Sequence, residues 1–149
     1  MIDHPEIRRA ERTQATLDTW QGRPWRLGSA DCVRMAADHL RRMGHRVKLP
    51  PAGSYRTIRS AVLALDKAGH ATVPAALDAM GFERIIPASA LAGDIVQMEQ
   101  DEEQDDRLAT LVITLGNGRV LGWHPDAPGA TILQPISHML SAWRVEPRK

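Results

Sequence analysis

The sequence predicts an α+β protein in which N-terminal helices pack on a small antiparallel sheet. In the first half of the 149-residue chain, apolar residues recur at helical spacing. After residue 94 the apolar pattern takes the two-residue period of strands. The pair Asn117–Gly118 then separates two apolar runs, which is a strong hairpin signal. This order of elements, in which helices come first and antiparallel strands follow, is typical of the α+β class.

Four helices are predicted in the first half of the chain. Asp3 and Glu6 have the spacing of a capping box at the start of the first helix. Ser29 and Asp31 are both suitable caps for the second helix, and Thr72 caps the fourth. The first helix is predicted to run from its cap at Asp3 to about residue 20, with Pro5 inside the first turn, and the other three are predicted over 31–43, 55–68 and 73–80.

The second half of the chain is predicted to form strands. An acidic run at 99–106 lies between the first two strands and is interpreted as a solvated loop. The predicted strands are 94–98, 108–115 and 119–123, followed by two short strands at 131–134 and 142–145 with a helical turn at 136–141 between them.

Length and composition predict one soluble globular domain, with 43% hydrophobic and 25% charged residues. We expect a single domain over 1–149, divided into an N-terminal helix (1–24), a helical half (25–93) and a sheet half (94–149). The single cysteine excludes an internal disulfide framework. No apolar run approaches the ~20 residues that span a bilayer, so no membrane span is expected. The N-terminus lacks the pattern of a signal peptide.

Charge is unevenly distributed although the formal net charge is only +1. Residues 1–60 carry twelve Lys or Arg against six Asp or Glu, whereas residues 61–149 carry seven against twelve. The chain has one Tyr and one Phe, so the basic half lacks the interleaved aromatic residues of a nucleic-acid surface. Nucleic acid is therefore not an expected partner, whereas the basic half is compatible with docking against an acidic protein surface.

The only cysteine, Cys32, lies at the predicted start of the second helix, in the segment Trp25–Val33. The positive end of the helix dipole favours a thiolate, which is the usual setting of a nucleophilic cysteine. Asp31 next to it raises the thiol pKa and opposes the dipole. A small buried apolar residue is the alternative interpretation of Cys32. No spacing of His, Cys, Asp or Glu predicts a metal site, and no cofactor is expected.

Several motifs, taken in order, resemble the NlpC-type cell-wall cysteine peptidases. These motifs are Gly28-x-x-Asp31-Cys32 opening a helix, Gly93–Val96 opening a strand, and the run Leu115–Val120 around the hairpin. The chain is similar more narrowly to a divergent branch encoded in phage and prophage tail gene clusters, on the segments Tyr55–Thr57 and Ala142–Arg144. The resemblance covers roughly residues 16–145 and implies a papain-like fold.

The resemblance also implies a mechanism, in which Cys32 attacks an amide of a peptidoglycan stem peptide and a histidine serves as general base. The position of that histidine is occupied by Thr110, which cannot act as a base near neutral pH. His124, after the hairpin, is the candidate replacement. His138 is a weaker candidate, and His39 lies two helical turns beyond Cys32, too far to reach the thiol.

Asp31, Thr110 and Trp123 are candidate substrate-binding residues. Trp123 beside His124 can line a groove or pack in the core, and the other three tryptophans are expected in the core or at the seam between helices and sheet. These three are Trp20, Trp25 and Trp143.

Three functions are compatible with these residues. The first is a phage or phage-like tail-tip component with a catalytically degenerate NlpC-type fold, made in the bacterial cytoplasm and located in the virion tail. The second is an active murein endopeptidase that uses Cys32 and a relocated His124. The third is a tail assembly or binding factor that uses the degenerate cleft. Expected partners are tail-tip or hub proteins and, for the second function, the peptidoglycan stem peptide.

Overall fold

The computed structural model describes residues 4–100, 105, 107–135 and 139–149, and these residues form an α+β fold as predicted. All helices precede the sheet along the chain, apart from one turn of 3-10 helix at Pro87–Ser89. The α-helices are α1 (Pro5–Trp20), α2 (Cys32–Arg42), α3 (Ile58–Lys67) and α4 (Val73–Ala79). Thr57 caps α3 in a capping box with Ser60, so this helix begins three residues later than predicted.

The strands form one sheet in which every described pairing is antiparallel. The strands are β1 (Arg84–Ile85), β2 (Ile95–Met98), β3 (Thr110–Gly116), β4 (Arg119–Gly122), β5 (Thr131–Leu133) and β6 (Met139–Trp143). Their order across the sheet is β1-β6-β2-β3-β4-β5. Asn117 has a φ of 56° between β3 and β4, which confirms the predicted turn.

Other local features also differ from the prediction. Residues 139–141 belong to β6 and not to a helical turn, because they pair with β2; residues 136–138 lie outside the described residues. The two-residue strand β1 was not predicted, and it pairs with the distant β6. His4, whose side chain accepts from the backbone N–H of Glu6, is the N-cap of α1, and Asp3 lies outside the described residues. Most of the acidic run 99–106 also lies outside them.

The core lies between the helices and one face of the sheet. Leu40 of α2, Ile113 of β3 and Trp143 of β6 are fully buried there, with Trp20 of α1. A smaller cluster around Val96 and Val112 covers the opposite face. Trp25 was expected to be buried and is instead 53% exposed, because its loop precedes α2 at the surface. None of the described helices is long and apolar enough to cross a membrane.

A buried carboxylate, Asp94, joins the N-terminal helix to the sheet and the C-terminus. Its Oδ1 accepts from Arg9 of α1 at 3.1 Å and from the backbone N–H of Val145 at 2.8 Å. Its Oδ2 accepts from Arg144 at 3.0 Å and from the backbone N–H of Leu91 at 2.8 Å. Asp94 is fully buried, so these four donors replace the water that the charge has lost. This network positions α1 and the sheet around α2, which carries the cysteine.

Candidate functional site

The start of α2 is held by the buried carboxylate of Asp31. This carboxylate accepts from the backbone N–H groups of Arg34 and Gly28, both at 2.8 Å, and from the Tyr55 hydroxyl at 3.3 Å. The first of these bonds is the N-cap predicted from the sequence. Gly28 has a φ of +90°, and a Cβ there would lie 1.8 Å from the carbonyl oxygen of Tyr55. Asp31 therefore fixes the loop in front of Cys32, and its oxygens are engaged within the protein.

The Cys32 thiol is in an environment that disfavours the thiolate. The pKa of Cys32 is raised to about 11. Burial is the largest cause and the charge of Asp31 adds to it, while hydrogen bonds from backbone N–H groups, first that of Leu111, act in the opposite direction. The sulfur donates a hydrogen bond to the carbonyl oxygen of Ala109 at 3.6 Å. A carbonyl oxygen accepts from a thiol and repels a thiolate, so this contact favours the protonated sulfur.

Ala109, immediately before β3, adopts a backbone conformation that is rare for a residue with a side chain. Its φ is +60°, in the left-handed region. It is buried in the helix-side core, and its carbonyl oxygen accepts from the thiol of Cys32. The end of the loop before β3 thus presents a hydrogen-bond acceptor to the sulfur.

Thr110 begins β3, where the resemblance implies a histidine in active relatives. It pairs across the sheet with Met98, whose side chain packs in the cluster on the face away from the main core. The next residue, Leu111, packs in the helix-side core. Thr110 makes no hydrogen bond to Cys32 among the described residues. It does line the same groove as the thiol.

His124 follows β4 and is the histidine that the sequence offered as a replacement base. Its side chain is 52% exposed, and its Nδ1 accepts from the backbone N–H of Asp126 at 3.1 Å. A carboxylate oxygen of Asp126 lies 3.7 Å from the same nitrogen. Within the described residues no hydrogen bond joins His124 to Cys32, although both line one groove.

None of the other described histidines makes a hydrogen bond to the thiol, although His70 lines the same groove. His39 is fully buried; its Nε2–H donates to the Gly93 carbonyl at 2.8 Å and its Nδ1 accepts from the Thr16 hydroxyl at 2.8 Å. Burial lowers the pKa of His39 to about 4, so it is a neutral core residue. His138 lies outside the described residues. No group of three potential metal ligands is present in the described part of the chain.

A large groove of about 1310 Å³ surrounds the cysteine; we call it the Cys32 groove. Its walls come from α2, α3, α4, the segment before β3 and the loop after β4. Trp123 lines it and is held rigidly: its Nε1–H donates to the Arg23 carbonyl at 2.8 Å, and its ring stands edge-on to Trp20. Trp25 lines it as an exposed ring. The sequence did not single out Tyr55 and Ala109 as site residues, because their roles depend on backbone positions that no local pattern encodes.

A family model described as "Domain of unknown function (DUF6950)" matches residues 7–145. No protein of the curated set matches the chain. Among solved structures the chain is similar to NlpC1 from Trichomonas vaginalis, with a TM-score of 0.60 and 16% identity over 97% of this chain and 46% of that one. It is also similar to NlpC2 from the same organism, with a TM-score of 0.58 and 13% identity over 95% of this chain and 47% of that one. The chain thus spans less than half the length of either protein, and the likeness confirms an NlpC-like, papain-like fold.

Proposed function

The chain belongs to the DUF6950 family, and we propose that it is a phage or phage-like tail-tip component that retains a peptidoglycan-hydrolase fold without robust peptidase activity. In this proposal the protein is made in the bacterial cytoplasm and acts in the virion tail. Its partners are other tail-tip or hub proteins.

The observation that carries the degenerate assignment is the state of Cys32. The side chain is partly buried, and burial raises the pKa of the thiol to about 11, so the thiolate is a minor species near pH 7. The thiolate is the nucleophile in cysteine peptidases, and a positioned base contributes a further ~10²–10⁴-fold. Cys32 has a carbonyl acceptor at its sulfur and no imidazole in hydrogen-bond contact among the described residues. The low fraction of thiolate and the lack of a bonded imidazole both slow the same step, which is the attack of the sulfur on the amide carbon.

The tail assignment is supported by the resemblance of Tyr55–Thr57 and Ala142–Arg144 to the tail-cluster branch. It is also supported by the charge asymmetry, since the first 60 residues carry six more basic than acidic residues. An uneven charge distribution of this kind sets orientation and encounter rate in assemblies.

One observation favours the alternative of an active murein endopeptidase. Cys32 and His124 line the same groove, and His124 is largely exposed on a loop after β4. Apo geometry alone does not exclude a base that closes on its nucleophile when substrate binds. The third function, a tail assembly or binding factor, uses the same groove without any reaction.

Digestion of purified muropeptides tests the proposal. Wild type, Cys32→Ala and His124→Ala are incubated with the muropeptides, and products are separated by chromatography. We expect the same product level in all three, at the background of a no-protein sample. Cleavage by wild type that both substitutions abolish would establish the endopeptidase, because only a cysteine–histidine pair requires both residues.

A further inference from the structure

The walls of the Cys32 groove are mostly apolar, and part of this apolar surface is exposed to solvent. Trp25, Ile58 of α3 and Met80 after α4 are 53%, 46% and 38% exposed, and all three line the groove. Exposed large apolar side chains gathered at one concave site mark a binding surface. The groove volume of about 1310 Å³ exceeds the ~300–1,000 Å³ of typical small-molecule sites. The groove is therefore large enough for several side chains of a partner segment.

The described carboxylates that line this groove have hydrogen-bond or ion-pair partners, whereas the described cations that line it have no ion pair. Two carboxylates of the described residues line it, and both are engaged: Asp31 by its three donors and Asp105 by Arg107 at 3.1 Å. Two cations line it as well, Arg46 and Lys48, both exposed on the segment after α2. Within the described part of the chain neither has an ion pair. Among the described residues, the unpaired charge that lines the groove is therefore positive.

From these two features we propose that the Cys32 groove is a docking site for an extended segment of a partner protein in which carboxylates alternate with apolar side chains. Trp25, Ile58 and Met80 contact the apolar side chains, and Arg46 and Lys48 pair with the carboxylates. Trp123, fixed by Arg23 and Trp20, forms a rigid wall. This inference rests on the proposed function and specifies the chemistry of the partner.

Binding of defined peptides tests the docking site. Three fluorescein-labelled peptides of about ten residues are compared by fluorescence anisotropy. In each peptide Leu and Pro alternate with one polar residue, which is Glu in the Glu peptide, Lys in the Lys peptide and Ser in the Ser peptide. We expect the Glu peptide to bind about tenfold more tightly than the Lys peptide. Trp25→Ala should weaken binding of the Glu peptide about tenfold, because truncating an aromatic side chain at the centre of an interface typically costs this much affinity. The double variant Arg46→Glu with Lys48→Glu should reverse the preference toward the Lys peptide.

Matched control variants lie outside the groove. Leu63→Ala removes an exposed apolar side chain of α3 that does not line it, and Arg59→Glu with Arg119→Glu reverses two exposed cations elsewhere. Both controls should bind the Glu peptide within about twofold of wild type. Equal affinity for the three peptides would overturn the proposal. So would a loss of affinity in the control variants as large as the loss in the groove variants.

Two further binding experiments test whether another ligand occupies the Cys32 groove. Displacement of the labelled Glu peptide by an unlabelled peptide with the sequence 99–106, at lower concentration than by unlabelled Glu peptide, would identify the chain's own acidic run as the better occupant and would overturn the proposal. Displacement of the Glu peptide by an unlabelled muropeptide at lower concentration than by unlabelled Glu peptide would overturn it in favour of a murein ligand. The anisotropy experiment measures binding and not hydrolysis. If the protein hydrolysed muropeptides, the proposed function would be contradicted, but the peptide-binding results would still test the docking site.

Discussion

The thiol of Cys32 donates a hydrogen bond to the carbonyl oxygen of Ala109, 3.6 Å away, at the point where β3 begins. The helix dipole and the backbone N–H groups at the start of α2 favour a thiolate, whereas burial, the adjacent Asp31 and this carbonyl oppose it. The balance lies with the neutral thiol, since the pKa of Cys32 is raised to about 11. The surroundings of Cys32 thus favour the protonated sulfur, as the proposed loss of peptidase activity requires.

Replacing Asp94 with Asn should destabilise the protein strongly. The substitution leaves the guanidinium of Arg9 buried beside a neutral amide, and breaking a buried ion pair costs about 3–5 kcal/mol. Urea unfolding followed by circular dichroism measures the change in the free energy of unfolding. Glu146→Gln is the matched control, because Glu146 also pairs with Arg9 but its side chain is 67% exposed; about 0.5 kcal/mol or less is expected. Equal effects of the two substitutions would contradict the role assigned to Asp94.

Gly28→Ala should disrupt the loop in front of Cys32. A Cβ at this position would overlap the Tyr55 carbonyl oxygen, and the φ of +90° is unfavourable for alanine. We expect a loss of more than about 3 kcal/mol in the free energy of unfolding. Gly22→Ala is the control, since Gly22 has a φ of +88° with no atom within 4 Å of the added Cβ; it should cost about 1–2 kcal/mol. A similar loss in both variants would show that backbone conformation alone is responsible.

His39 should make stability decline on acidification between about pH 6.5 and about pH 4. Its pKa is lowered to about 4 in the folded state, so over this range the unfolded chain binds a proton that the folded chain does not. This difference favours unfolding as pH falls, and it amounts to about 2 kcal/mol between pH 7 and pH 4.5. Urea titrations of wild type and His39→Gln at both pH values measure it. A variant with the same pH dependence as wild type would exclude His39 as its source.

The proposed tail role predicts association with other tail proteins. Pull-down with candidate tail-tip proteins should recover a complex, and its yield should fall between about 0.05 M and about 0.5 M salt because exposed charges are screened. Analytical ultracentrifugation of the mixture should show a species heavier than either component. A protein that remains monomeric in the presence of every tail-tip protein tested would contradict the role.

The sequence predicted those parts of the fold that local chemistry determines. Asp31 caps α2 and Asn117 adopts a positive φ in the hairpin because both are short-range effects of the residue type. β1 was missed because two residues give no periodic signal and their pairing with β6 is long-range. Trp25 is exposed because size and hydrophobicity do not determine which side of a loop faces solvent.

The site could be predicted only in part. The position of Cys32 at a helix start follows from the sequence, but the sign of its pKa shift depends on burial and on a carbonyl 77 residues away. Ala109 has no intrinsic preference for its φ of +60°, so tertiary packing imposes it. The catalytic pairing of Cys32 with His124 remains a prediction, and the structure adds that the two line one groove without a hydrogen bond between them.

The rate of Cys32 alkylation by iodoacetamide, measured as a function of pH, reports directly whether the thiol is held in its neutral form. If the thiol is held neutral, the logarithm of the rate should rise with unit slope from about pH 7 to about pH 9.5 without a plateau, since alkylation requires the thiolate. Near pH 7 the rate should be at least about 100-fold below that of a free cysteine peptide, whose pKa is about 8.5. The chain unfolded in urea should react at the peptide's rate. A plateau already reached near pH 7, lost in His124→Ala, would contradict the account and indicate an activated nucleophile.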